Sequence, residues 1–204
     1  MAPSPPEPAT PAWPRRADAA RNRQRLLQAA DEVFAAQGAA APTEAIARHA
    51  GVGIGTLFRH FPTKEALLEA VLAARLSLLA CYGQSLATAN APGDALFSLL
   101  RRAVEDAPGK LALADALATA GVDVGPALVE PRQRLREVMG MLLSRAQRSG
   151  DVRNDIGVDE VFALLVGASR MAEYAGSNRA VLDRAVAVVL DGLRAKRRAG
   201  RPRK

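Results

Sequence analysis

The sequence predicts an all-α protein, and three observations carry the prediction. The chain of 204 residues is rich in Ala and Leu and holds only eight aromatic residues, a composition that favours helix over sheet. Its apolar residues recur at three- and four-residue spacing, the period of one helix face. Gly and Pro clusters interrupt that period and cut the chain into about nine helical segments. At this length a small domain followed by a medium one is expected, each able to bury a core. No internal repeat is visible.

The start, MAPSPPEPATPAWPRR, has five prolines before Trp13. Residues 1–16 therefore read as a disordered arm, without the apolar run of a signal peptide. From 17 to 37, Leu26, Leu27, Ala30, Val33 and Phe34 repeat at helical spacing, with Arg21, Arg23 and Arg25 clustered near the start. Gly38 stops this helix. Pro42 is placed to open a second helix of two turns, with Ile46, Ala47 and Ala50 inward and Gly51 at its end. A third short helix, about 54 to 61, stops at Pro62. Thr63 then offers an N-cap, with Glu65 in the first turn, for a longer helix bearing Ala66, Leu67, Ala70, Val71, Ala74 and Leu78. Five further segments are expected near 94–106, 110–120, 131–148, 158–174 and 178–197. The predicted organisation is an arm (1–16), a helix-turn-helix domain (17–62), a connecting helix (63–88), a helical domain (89–197) and a basic tail (198–204).

The formal charge of +7 is unevenly spread. Residues 194–204 hold seven Lys or Arg and no acid, leaving 21 basic against 21 acidic groups in the rest of the chain. Within that remainder, 15–64 has eight basic and four acidic groups, whereas 65–193 has 13 and 16. Basic charge thus concentrates at the two ends, as expected of a protein that meets a polyanion there. The single cysteine, Cys81, forms no internal disulfide, and with only His49 and His60 it builds no structural zinc site. No stretch of about 18 uninterrupted apolar residues suggests a membrane span. A cytoplasmic protein without metal or cofactor is expected.

Residues 51–61, GVGIGTLFRHF, decide the class of function. A dinucleotide fingerprint needs a strand before its glycines, but the preceding EAIARHA is helical in period and propensity. The spacing is G-x-G-x-G, and no Lys-Ser or Lys-Thr follows as a P-loop requires. The alternative is a helix-turn-helix, in which a tight turn containing Gly delivers a short helix to the DNA major groove. Gly51 supplies the left-handed turn, Val52 plugs it, and Gly53 and Gly55 let backbone approach a phosphate or base edge. At 100° per residue Ile54, Leu57 and Phe61 form an inner face. Gly55, Thr56, Arg59 and His60 fall on the other side, with Phe58 at the border. Arg21, Arg23 and Arg25 read equally well as a solvated face or as part of this basic surface.

The run TEAIARHAGVGIGTLFRHFPTKEALLEAV resembles the DNA-binding domain of TetR-family transcriptional regulators, and RNRQRLLQAADEVFAAQG resembles that family's first helix. The resemblance is close over about 17–75, and beyond that rests on helix count and length. It implies a homodimeric repressor with an N-terminal three-helix DNA-binding domain and a larger C-terminal helical domain for dimerisation and sensing of a small molecule. It also implies that Thr43, Ile54, Gly55, Thr56, Phe58, His60 and Lys64 approach the operator. The position of Phe58 is usually Tyr in the family, so one phosphate-bonding hydroxyl is missing here. That costs about 1 kcal/mol.

In the second half, Val161, Phe162, Leu165, Val181, Leu182, Ala185, Val188 and Val189 mark two terminal amphipathic helices that suit a four-helix dimer interface. Phe97, Leu100, Leu113, Leu117, Met139 and Leu143 are candidates to line an apolar effector cavity, though such residues suit an ordinary core just as well. The tail contains Gly200-Arg201-Pro202, resembling the core of minor-groove AT-hook peptides, with Ala199 where an Arg is expected. Its blander reading is non-specific, salt-sensitive DNA affinity. The expected function is a sequence-specific DNA-binding regulator, a repressor released by an effector, and no catalytic constellation is visible. The rival is an architectural, sequence-tolerant DNA binder without an effector.

Overall fold

The computed structural model describes residues 13–176 and 178–195. Among them are nine helices: α1 (Trp13–Gln37), α2 (Thr43–His49), α3 (Ile54–His60), α4 (Lys64–Ser85), α5 (Pro92–Glu105), α6 (Ala107–Thr119), α7 (Gly125–Arg148), α8 (Val158–Ala175) and α9 (Arg179–Leu193). The all-α expectation is met, and the chain divides into two compact units at Leu67/Leu68.

In the first unit α1 packs on α2 and α2 on α3. Leu26, Ala30, Val33 and Phe34 of α1 meet Ala45, Ile46 and Ala47 of α2 in a small core that Leu57, Phe61 and Leu67 complete; all are buried. Helix α1 begins at Trp13, not at residue 17, so the last residues assigned to the arm are helical. Pro14 explains the earlier start, because its missing N–H is harmless in a first turn and its φ is already helical. The rest of the arm and the tail beyond Ala195 lie outside the described residues.

In the second unit α5 lies against α7 and α8, and α8 against α6 and α9. The central cluster joins Leu79 of α4, Leu96, Phe97, Leu99 and Leu100 of α5, Val138, Met139 and Leu142 of α7, Val161 of α8 and Leu190 of α9. Burying one such side chain contributes about 1.5–3 kcal/mol, so this cluster dominates the unit's stability. Helix α7 starts six residues before the predicted 131. Pro126 sits in its first turn, where proline is welcome, and the interior Pro131 is buried by its neighbours, which offsets the one backbone bond it removes. The carbonyls left open after α4 are satisfied from α7: the Arg145 guanidinium donates to Leu86, Ala87 and, at 2.8 Å, Ala89. Helix α4 is long and apolar enough to cross a membrane by length and composition. It is nonetheless interrupted by Glu69 and Arg75 and buries Leu67, Leu68, Val71, Leu72, Leu79 and Ala80 inside the protein.

Candidate nucleic-acid interface

The turn between α2 and α3 is built by backbone geometry. Gly51 has φ +68°, a conformation that costs other residues about 1–2 kcal/mol. Its N–H donates to the carbonyl of Arg48 (3.1 Å), and the N–H of Val52 donates to that of Ala47 (3.0 Å). This bond pair closes a helix and reverses the chain, with the half-buried Val52 tucked behind it. Extended Gly53 caps α3, its carbonyl accepting from Thr56 (2.9 Å) and Leu57 (3.3 Å). Phe61 ends α3 in an extended conformation, as a residue before proline must. The predicted cap of α4 is in place, with the Ala66 N–H donating to Thr63 Oγ1 at 3.1 Å.

Helix α3 presents nearly all of its surface outward. Leu57 is its only buried residue, and the cap Phe61 supplies the second anchor. The helical wheel places Ile54 with those two, but Ile54 is 38% exposed. A helix of seven residues makes fewer than two turns, so one central residue carries the inner face and the first turn overhangs it. Phe58 is 41% exposed, and Gly55 and Arg59 lie fully open. Thr56, His60 and Lys64 are half-buried around them. Thr43 departs from this exposed group: it is buried in the first turn of α2, its hydroxyl directed 3.4 Å to the Glu44 carboxylate.

Gly53 and Gly55 carry no internal justification. Neither has a positive φ, and a Cβ on either would meet nothing within 4 Å. Arg59 and Lys64 have no acidic partner among the described residues, and Lys64 begins a helix whose own dipole is positive there. Several carboxylates of the same domain are engaged elsewhere, among them Asp18 with Arg21. Glu32 accepts from His49 Nε2 at 2.6 Å and from Gln28, and the His49 bond holds its carboxyl below the usual range. The surface of α3 therefore combines bare backbone, two large apolar side chains and uncompensated cations. Such a surface can meet base edges and methyl groups at its start and phosphates farther along. Among the described residues no three His, Cys, Asp or Glu side chains gather as a metal site.

The second unit sorts its predicted residues differently. Phe97, Leu100, Met139 and Leu143 belong to the central cluster, while Leu113 and Leu117 are buried on α6. The first four pack in one core cluster, which Leu113 and Leu117 do not join. The apolar crevice lined by Leu100, Val104, Val161, Leu165 and Leu190 amounts to about 20 Å³, far below the several hundred Å³ of a ligand site. A larger cleft of about 400 Å³ is polar, lined by Tyr82, Asp94, Phe97, Ser98, Arg101, Arg102, Glu105 and Arg194.

Of the residues predicted for a dimer interface, Val161 and Leu182 are corrections: both are buried in the chain's own core. Phe162 and Leu165 pack partly against it, with the Arg136 guanidinium 5.9 Å over the Phe162 ring. Val181 and Val188 are exposed, and Ala185 and Val189 half-buried. The outward stripe of α8 runs through Leu164, Gly167, the half-buried Met171 and Tyr174, of which Tyr174 is 93% exposed. Their spacing of three, four and three residues is visible in the sequence, but so is the competing stripe through Val161 and Leu165.

Comparison with known proteins reports on both units. Residues 26–71 match the family described as bacterial regulatory proteins, tetR family, and 91–195 match the SbtR-like C-terminal domain of transcriptional regulators. The HTH-type transcriptional repressor KstR2 of Mycolicibacterium smegmatis is 32% identical over 165 residues, 78% of either chain. The HTH-type transcriptional regulator SrpR of Pseudomonas putida is 50% identical over 60 residues, 29% of this chain and 28% of that relative. The crystal structure of a TetR transcription regulatory protein from Mycobacterium vanbaalenii is 42% identical, with a TM-score of 0.72 over 89% of this chain and all of that one.

Proposed function

The chain belongs to the TetR family of helix-turn-helix transcriptional regulators, and we propose that it is a cytoplasmic homodimeric repressor whose α3 reads a near-palindromic operator. The observation that carries this reading is the outer face of α3, where Gly53 and Gly55 are bare for no internal reason and Arg59 and Lys64 await a counter-charge. Ile54 and Phe58 supply apolar contact to base edges, Gly55 and Thr56 close approach, and His60, Arg59 and Lys64 phosphate binding. Thr43, at the start of α2, reaches the backbone only by turning away from Glu44. Repression is favoured over activation by the likeness to KstR2, a repressor by name.

Dimerisation through α8 and α9 would cover Leu164, Tyr174, Val181 and Val188, which are costly to leave in water. A two-fold pair places recognition helices about 34–36 Å apart, one turn of DNA. The effector is a small, largely apolar molecule. With only about 20 Å³ open beside Leu100 and Val161, it must part α5 from α8 to enter. The conformation it selects is then an expanded one, and its preference for that form over the packed one sets how far it weakens DNA binding. Selection of bound duplexes from random DNA at about 150 mM salt tests the reading. A palindrome is expected; recovery of no preferred sequence would sink it.

A further inference from the structure

We propose that Arg25 and Arg23 of α1 are the positioning residues of α3, one fixing the turn that leads into it and the other bracing the residue that ends it. The inference rests on the DNA-reading role of α3. That helix is held by Leu57 alone within its length, so its orientation depends on how its two ends are tied. At the leading end, Arg25 Nη2 donates to the carbonyl of Ala50 at 3.1 Å, an acceptor that the end of α2 leaves open. The same nitrogen lies 3.6 Å from where a Cβ on Gly51 would stand, so the guanidinium covers the residue with positive φ at the turn. At the trailing end, the Arg23 guanidinium carbon sits 5.0 Å over the ring of Phe61, the C-cap of α3, within range of a cation–π contact.

Residues two apart on a helix diverge by about 200°, which lets one turn of α1 send side chains to both ends of α3. Arg21, two residues earlier, differs: it pairs with Asp18 on its own helix and touches nothing of α3. Arg25 commits one of its five donors to Ala50, which fixes the guanidinium against the turn, so its direct contribution to phosphate binding is what the salt slope must separate from positioning.

The test compares full-length Arg23→Met, Arg25→Met, Arg25→Lys and Arg21→Met on two probes, the palindromic duplex recovered by selection and a random-sequence duplex of equal length. Arg23→Met and Arg25→Met should each weaken the palindrome about tenfold, the order of one charge-assisted bond. Their binding to random duplex and the slope of log K against log salt should stay as in the wild type. Arg25→Lys, whose ammonium can still donate to Ala50, should recover most of the affinity, and Arg21→Met should change nothing. A slope shallower by about 0.9 per substitution, with equal loss on both probes, would mean direct phosphate contacts and overturn the proposal. Unchanged affinity in both methionine variants, or loss of the thermal unfolding transition in them, would overturn it as well. A wild type without sequence preference would instead remove the reading of α3 itself.

Discussion

Both units expose large apolar side chains, but in different company. On α3, Ile54 and Phe58 stand among glycines, a histidine and cations without an acidic partner, whereas on α8 and α9 Leu164, Tyr174 and Val188 stand among small residues and charges of both signs, such as Arg170 paired with Glu173. The first surface is the one proposed to meet a charged polymer; the second is the one proposed to meet a second copy of the chain. The neighbours of an exposed apolar residue, more than the residue, state what will cover it.

The comparison breaks most sharply in the interiors. Leu57→Ala removes the single buried side chain of α3, and Leu142→Ala one from the central cluster; each should cost about 2–5 kcal/mol. Calorimetry should show the first lowering only the transition of the small unit and the second only that of the large one. Equal effects on a single transition would mean that the units unfold together.

The proposed dimer surface comes next. Val188→Glu places a charge on α9 without touching the core, so sedimentation at micromolar concentration should find a monomer with unchanged circular dichroism. Operator affinity should fall about a hundredfold through loss of the second half-site. A dimer that survives would move the interface off this face.

On α3 the sign of the effect sharpens the contrast. Gly55→Ala should leave thermal stability unchanged or raise it, by up to about 1 kcal/mol, because alanine favours helix. Operator affinity should nevertheless drop by roughly 1–3 kcal/mol, the scale of one base-edge contact. Lys64→Met should weaken all duplexes alike and make the salt slope shallower by about 0.9. Sequence-selective loss at Lys64, or no loss at Gly55, would contradict those roles.

The smallest effect lies in the second unit. Lys110, in the first turn of α6, donates to the Ala103 carbonyl at 3.2 Å, and burial pushes its ammonium below the usual lysine value of 10.5. The unfolded chain therefore holds a proton that the folded chain has released in the alkaline range just below 10.5, and stability rises with pH there. Chemical denaturation across that range should show this rise in the wild type and a loss of it in Lys110→Met.

How much was legible follows the same division. The helix-turn-helix is local: Gly51, Pro62 and Thr63 specify its boundaries by backbone chemistry, and α2, α3 and the start of α4 appear where those residues put them. Ile54 was misplaced inward because a wheel assumes a covering neighbour along the whole helix. Helices α8 and α9 offer two apolar stripes each, and only the packing of α5 and α6 decides that Val161 and Leu182 turn inward while Leu164 and Val188 do not. The proposed effector lining is ambiguous in sequence for the same reason, since leucines of a cavity and of a closed core repeat with one period. The roles of Arg25 and Arg23 depend on Ala50 and Phe61, about 25 and 38 residues along the chain respectively, beyond the reach of any local pattern.

Leu57 and its cap Phe61 are the only buried apolar residues that anchor α3 in the domain. Most of its remaining positions are thus free to change without a folding penalty, and substitutions there need no compensating change elsewhere. Mutation can explore new operator sequences through single replacements while the protein stays folded at every step. A duplicated copy of the gene could acquire a different target by drift through Gly55, Thr56 and Phe58 long before its sensing half had diverged.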